Sequence, residues 1–124
     1  PLYSQATYIY AVSQVARSSS ELNPLHVVLY SCEYIDTTTG QRFPFAPPAC
    51  KRIEVYYALA AGATGISYWW YLPVKPSNGL GAGTPAALAL WREIGLLGAE
   101  IRTAAPLLVT GCPATVNNGA GGMG

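Results

Sequence analysis

The stretch Arg52-Ile53-Glu54-Val55-Tyr56-Tyr57-Ala58-Leu59-Ala60-Ala61-Gly62-Ala63-Thr64-Gly65-Ile66-Ser67-Tyr68-Trp69 decides the fold. Its first half spaces Ile53, Tyr56, Tyr57 and Ala60 on one face of a helix that resumes near Cys50, and Gly62 supplies a stop. Its second half passes at once into Gly65-Ile66-Ser67-Tyr68-Trp69-Trp70-Tyr71, a run dense in aromatics that reads as a strand. A helix joined to a buried strand through a few small residues is half of a parallel α/β unit.

The same grammar extends in both directions. Upstream, His26-Val27-Val28-Leu29-Tyr30-Ser31 is a short apolar run without alternation, which predicts a strand buried on both faces. Ahead of it, Tyr8, Val12 and Val15 recur at helical spacing between about Tyr3 and Ser18, and Ser18-Ser19-Ser20 with Asn23-Pro24 stops that helix. Downstream, Thr84-Pro85 is an N-cap followed by proline at the first helical position. The helix it opens places Leu90, Ile94, Leu97, Ile101 and Ala105 at core spacing, and Pro106 is expected to end it. The predicted order is helix, strand, helix, strand, helix. Doubly wound sheets share it. The segments after both strands, 33–48 and 72–83, are long, whereas the turns from helix to strand are short, and one elaborated face tilts the choice towards a (β/α)8 barrel.

The chain has 124 residues, against roughly 250 for a usual barrel. Hydrophobic residues make up 51% and charged residues 10%, which excludes a disordered tail and leaves apolar surface for a partner. Net charge is +1 with no basic or acidic block, so neither nucleic acid nor an anionic membrane is an expected partner. No apolar run reaches a membrane span, and no leader is visible. The opening on Pro1 and the close on Gly119-Ala120-Gly121-Gly122-Met123-Gly124 read as cut ends. Cys32, Cys50 and Cys112 contain no paired-cysteine spacing and His26 is the lone histidine, so no metal site and no cofactor are expected. Cys32 and Cys50 bracket one long loop: buried thiols are the favoured reading, and a disulfide is open to them if the protein is secreted.

The stretch 52–69 resembles the seventh helix and eighth strand of many glycoside hydrolase barrels, in which a helix ending in Ala and Gly leads through a Gly-Ile step to an aromatic strand. Leu90-Trp91-Arg92-Glu93-Ile94, with Glu100-Ile101 and Ala105-Pro106-Leu107-Leu108, resembles the eighth helix and its exit, and Pro24 to Tyr30 the seventh strand. The likeness covers about Leu22 to Leu108. It implies an α/β fold that is a partial (β/α)8 barrel: two parallel strands with three helices, the last two βα units plus a preceding helix. Residues 1–108 would be the C-terminal fragment of that barrel and 109–124 a tail or linker. The resemblance, to the retaining clan, further implies a sugar site at the C-terminal strand ends, with an acid/base carboxylate after the fourth strand and a nucleophile ending the seventh.

Glu33, just past its strand, is the candidate for that catalytic carboxylate; a solvated loop acid is the other reading. Counting from Pro24 brings the family's position nearer Tyr30, which cannot replace a carboxylate but can line the substrate site. Trp69 and Trp70 end the later strand, where the resembling enzymes carry an aromatic floor beneath the sugar; helix-facing core is the alternative. Alternation puts Ser67, Trp69 and Tyr71 on one face and Ile66, Tyr68 and Trp70 on the other, with Trp69 inward beside small Ser67. Asp36 reads as a turn former, His26 as a core or bottom-loop histidine, and Glu54, Glu93 and Glu100 as solvated helix acids. Gly79-Leu80-Gly81-Ala82-Gly83 with Lys75 admits a phosphate-binding reading, or simply a flexible loop. The expectation is a glycoside hydrolase acting on an oligo- or polysaccharide, needing the remainder of its own barrel, with the fragment inactive alone. A non-catalytic carbohydrate-binding barrel and a phosphate-binding barrel enzyme are the alternatives.

Overall fold

A computed structural model describes residues 2–19 and 24–110. Cys112 and all but two residues of the expected tail lie outside the described residues. The chain forms α1 (Leu2–Ser18), β1 (Leu25–Tyr30), a small antiparallel hairpin of β2 (Tyr34–Ile35) and β3 (Arg42–Phe43), α2 (Pro48–Ala60), β4 (Ala63–Trp69) and α3 (Pro85–Thr110). β1 and β4 pair in parallel, with Val28 opposite Ser67, Leu29 opposite Tyr68 and Tyr30 opposite Trp69. The described residues are therefore mixed α/β, with three helices and a two-stranded parallel sheet; they contain no closed barrel. None of their helices is long and apolar enough to cross a membrane.

Local chemistry accounts for the element ends. The Thr84 hydroxyl accepts from the Ala87 amide at 3.3 Å, and Pro85 opens α3 without forfeiting a bonded amide. Gly62 leaves α2 at φ +92°, a conformation that disfavours any side chain. Pro106 does not end α3, contrary to expectation. The helix runs on to Thr110, because a proline removes one amide donor and can still sit within a turn when the flanking bonds persist. The Thr110 hydroxyl donates back to the Pro106 carbonyl at 2.7 Å.

The helices cover one face of the sheet only. Leu29, Val55 and Leu97 form one buried cluster with Val27, Ile66 and Tyr68 against it; Phe45, Leu80, Ala87 and Leu90 form another, which Tyr68 also meets. The face that α2 buries carries Lys51, Val55 and Ala58, while Ile53 and Tyr56 are exposed, so the expected face is corrected. Helical spacing alone did not distinguish the two stripes, because both are rich in apolar residues. β1 is also corrected: its burial alternates, and the side chains of Val28 and Tyr30 stand in the open at 57% and 49% exposure.

An apolar strand with one partner and one uncovered face recruits other chains. At micromolar concentration the chain is expected to self-associate through the outer edge of β1. Light scattering checks this, and a monodisperse monomer with a cooperative melt contradicts it.

Candidate site at the C-terminal ends of the parallel strands

Both strands end at the same edge of the sheet, and their paired last residues are Tyr30 and Trp69. Parallel neighbours lie about 4.8 Å apart, so these two residues are backbone neighbours on the face turned away from the helices. Trp69 is 56% exposed. Ser67, two residues back on the same face, bonds to His26 across the sheet, Oγ to Nε2 at 2.7 Å. His26 is thus an exposed residue of this face and not a core histidine, and Gly65 leaves room for its ring: a Cβ there would stand 2.5 Å from Nδ1. Tyr68 projects into the helix-side clusters, as alternation from Trp69 requires.

Beyond Trp69 the alternation fails. The Trp69–Trp70 peptide is cis, and the two indoles meet edge to face with centroids 6.0 Å apart. Tyr71 leaves the Ser67–Trp69 face and packs against Trp91 of α3, ring centroids 5.9 Å apart. Trp70 is partly buried beside Trp69, with its carbonyl taken by the Leu80 amide at 3.0 Å.

Glu33 sits three residues past Tyr30 in a clasp between the two strand-end loops. Its backbone exchanges both hydrogen bonds with Asn78, at 2.8 and 3.0 Å. Its side chain accepts from Asn78 Nδ2 at 2.8 Å on Oε1, and from Arg42 of β3 on Oε2, Nη2 at 2.5 Å and Nε at 3.2 Å. The side chain is 13% exposed and its carboxylate accepts from Asn78 and Arg42, so it is no freely solvated loop acid. Donation first by Arg42 and then by Asn78 holds its pKa below the usual glutamate range. A lowered carboxylate suits a nucleophile or an anchor; a general acid needs the opposite shift. The same sign governs stability: the clasp is at full strength above the ordinary glutamate pKa and weakens as pH falls through the lowered folded value.

The supporting groups escaped the sequence reading. Arg42 and Asn78 lie 9 and 45 residues from Glu33, and a loop contact of that kind has no periodicity to betray it. Lys51 and Glu54 are both buried, at 0% and 8% exposure, and Lys51 Nζ bonds to Glu54 Oε2 and, at 2.5 Å, to the Tyr30 carbonyl. Glu54 is therefore not a solvated acid. The spacing of Lys51 with Val55 and Ala58 was the available signal, a charged head on the apolar stripe. Glu93 and Glu100 instead meet Arg52 on the outside of α2, each at 2.6 Å.

Other groups take structural parts. Asp36 closes its turn with the Thr38 amide and the Thr39 hydroxyl, both at 2.8 Å, and these bonds hold its carboxyl low. Cys32 and Cys50 are buried free thiols. The Tyr30 phenol is raised by partial burial and then by the neighbouring Cys32 thiol. In the glycine-rich loop the amides of Gly79, Leu80, Gly81 and Ala82 donate to the carbonyls of Leu72, Trp70, Tyr71 and Gly79. Those donors are spent on backbone, and a Cβ on Gly79 would collide with the Tyr71 carbonyl group, so close backbone approach accounts for the glycine. Among the described residues no group of three His, Cys, Asp or Glu is placed to hold a metal.

No protein-family model, curated protein or solved structure matches the chain.

Proposed function

We propose that this chain supplies the last two βα units of a (β/α)8 barrel of a glycoside hydrolase, and that the ends of β1 and β4 form part of its sugar site. The observation that carries the reading is the pair Tyr30 and Trp69, two exposed aromatics at register-matched ends of parallel strands, on the sheet face turned away from the helices. A flat apolar ring with one polar edge suits the C–H face of a pyranose. An ionised carboxylate, Glu33, belongs to the same end of the sheet, as attack on an anomeric carbon requires. In this reading Glu33 is the nucleophile, Trp69 the floor, and Trp70 and Tyr30 its flanks; the acid/base partner comes from the remainder of the barrel.

A second reading, a carbohydrate-binding barrel without catalysis, draws on the clasp. Both Glu33 oxygens already accept hydrogen bonds, which serves loop anchoring as well as chemistry. Binding separates neither reading from the other, but it tests both. The wild-type chain, titrated with cellohexaose, xylohexaose and mannohexaose, is expected to change its tryptophan fluorescence with at least one of them. Trp69→Ala is expected to weaken that binding by about 1–3 kcal/mol for the lost stacking surface. Unchanged affinity in Trp69→Ala, or no binding by the wild type, counts against a sugar site here.

A further inference from the structure

Lys51 is a fully buried cation whose partners lie on two different elements, and apolar packing could fill its place at less cost in desolvation. Its contact with the Tyr30 carbonyl has a geometric reason. The Ser31 amide donates to the Trp69 carbonyl, which ties the end of β1 to β4. In a trans peptide the carbonyl points opposite to the amide, so the Tyr30 oxygen faces the outer edge of β1, where β4 cannot reach it. A part-buried carbonyl that no strand partner reaches is satisfied by a side-chain donor. Lys51, rising from the first turn of α2, provides one, and Glu54 balances its charge one turn further on.

We propose that Lys51 is a positioning residue: by holding the Tyr30–Ser31 peptide from the outer side, it sets the strand end from which Tyr30 stands beside Trp69 and from which the chain enters the Glu33 clasp. The functional part of this proposal rests on the sugar-site reading; the positioning itself does not. Glu54 serves Lys51 and touches neither strand end in this scheme, so charge pairing and positioning separate by mutation.

The test compares E54Q with K51M/E54M. E54Q keeps the ammonium on the Tyr30 carbonyl and removes its counter-charge, so it is expected to melt at a lower temperature and to bind the oligosaccharide that the wild type binds within about twofold. K51M/E54M replaces the pair with apolar volume and is expected to melt near or above E54Q. It should nevertheless bind about tenfold more weakly, the equivalent of 1.4 kcal/mol. In the absence of sugar, the Ser31 amide should exchange faster and the Trp69 indole resonance should shift in K51M/E54M, and neither should change in E54Q. Equal binding and unchanged Ser31 and Trp69 signals in K51M/E54M overturn the proposal. If the wild type binds none of the three hexasaccharides, the sugar reading fails, and the exchange and indole signals still decide the role of Lys51. If K51M/E54M does not fold, amine labelling of the native wild type decides: Lys51 should be protected while Lys75 reacts, and equal reactivity overturns the buried contact.

Discussion

On the proposed hydrolase reading, Glu33→Gln made in the complete protein is expected to abolish glycoside hydrolysis while sugar binding survives. Retaining hydrolysis divides its work between a carboxylic acid that protonates the leaving oxygen and a carboxylate that attacks the anomeric carbon. Glutamine keeps the shape of the side chain and loses the attacking charge, so the loss falls on kcat, on the order of 10³-fold or more. The clasp adds a second consequence. Both oxygens of Glu33 face donors, Asn78 on one side and Arg42 on the other, and an amide presents an NH2 group to one of them. Asn78 can turn its amide to accept from that group, so the glutamine oxygen stays on Arg42 and the clasp weakens by the loss of the ion pair. Initial rates with an activated aryl glycoside check the first effect, and binding titrations in parallel separate it from the second. Lost binding together with lost turnover would make Glu33 a loop anchor, and sugar binding without any turnover by the wild-type protein would favour the binding-barrel reading. The 124-residue chain alone, with one candidate carboxylate, is expected to hydrolyse no glycoside.

Lys51→Met is expected to be the most destabilising single substitution of a charged residue in the described chain. Methionine fills the volume but strands the Glu54 carboxylate in the interior and deprives the Tyr30 carbonyl of its donor. Breaking a buried pair from one side costs about 3–5 kcal/mol, and for a domain of this size that lowers Tm by on the order of 15 °C. The next residue supplies the control. Arg52 forms two ion pairs, to Glu93 and Glu100, yet its side chain is 34% exposed and its partners are part-solvated. Exposed pairs are screened and spend side-chain entropy, so Arg52→Ala should cost only a small part of that amount. Thermal unfolding followed by circular dichroism compares the two variants. A Lys51→Met melt no lower than that of Arg52→Ala would mean that the buried pair contributes little.

The sequence by itself determined the order of the three helices and the two parallel strands, but not the hairpin of β2 and β3, which falls in a segment that read as loop. Local signals carry that information: apolar spacing in 3–18 and 85–105, the small residues Ala60, Ala61 and Gly62 at the end of α2, and Thr84-Pro85 at the start of α3. It also placed Trp69 opposite Tyr68 in direction, because strand alternation is a property of the backbone. It did not determine which apolar stripe of α2 is buried, nor that β1 has an open face, since both depend on which elements are present to cover them. Pro106 passed as a terminator because its missing donor is a local fact, whereas the continuity of α3 through it belongs to the whole helix. The clasp of Glu33 with Arg42 and Asn78, and the reach of Lys51 to the Tyr30 carbonyl, were decided by tertiary structure alone. Their partners are brought together by loops and a strand end far apart in the chain, and a charge states its need for a partner in the sequence without naming it.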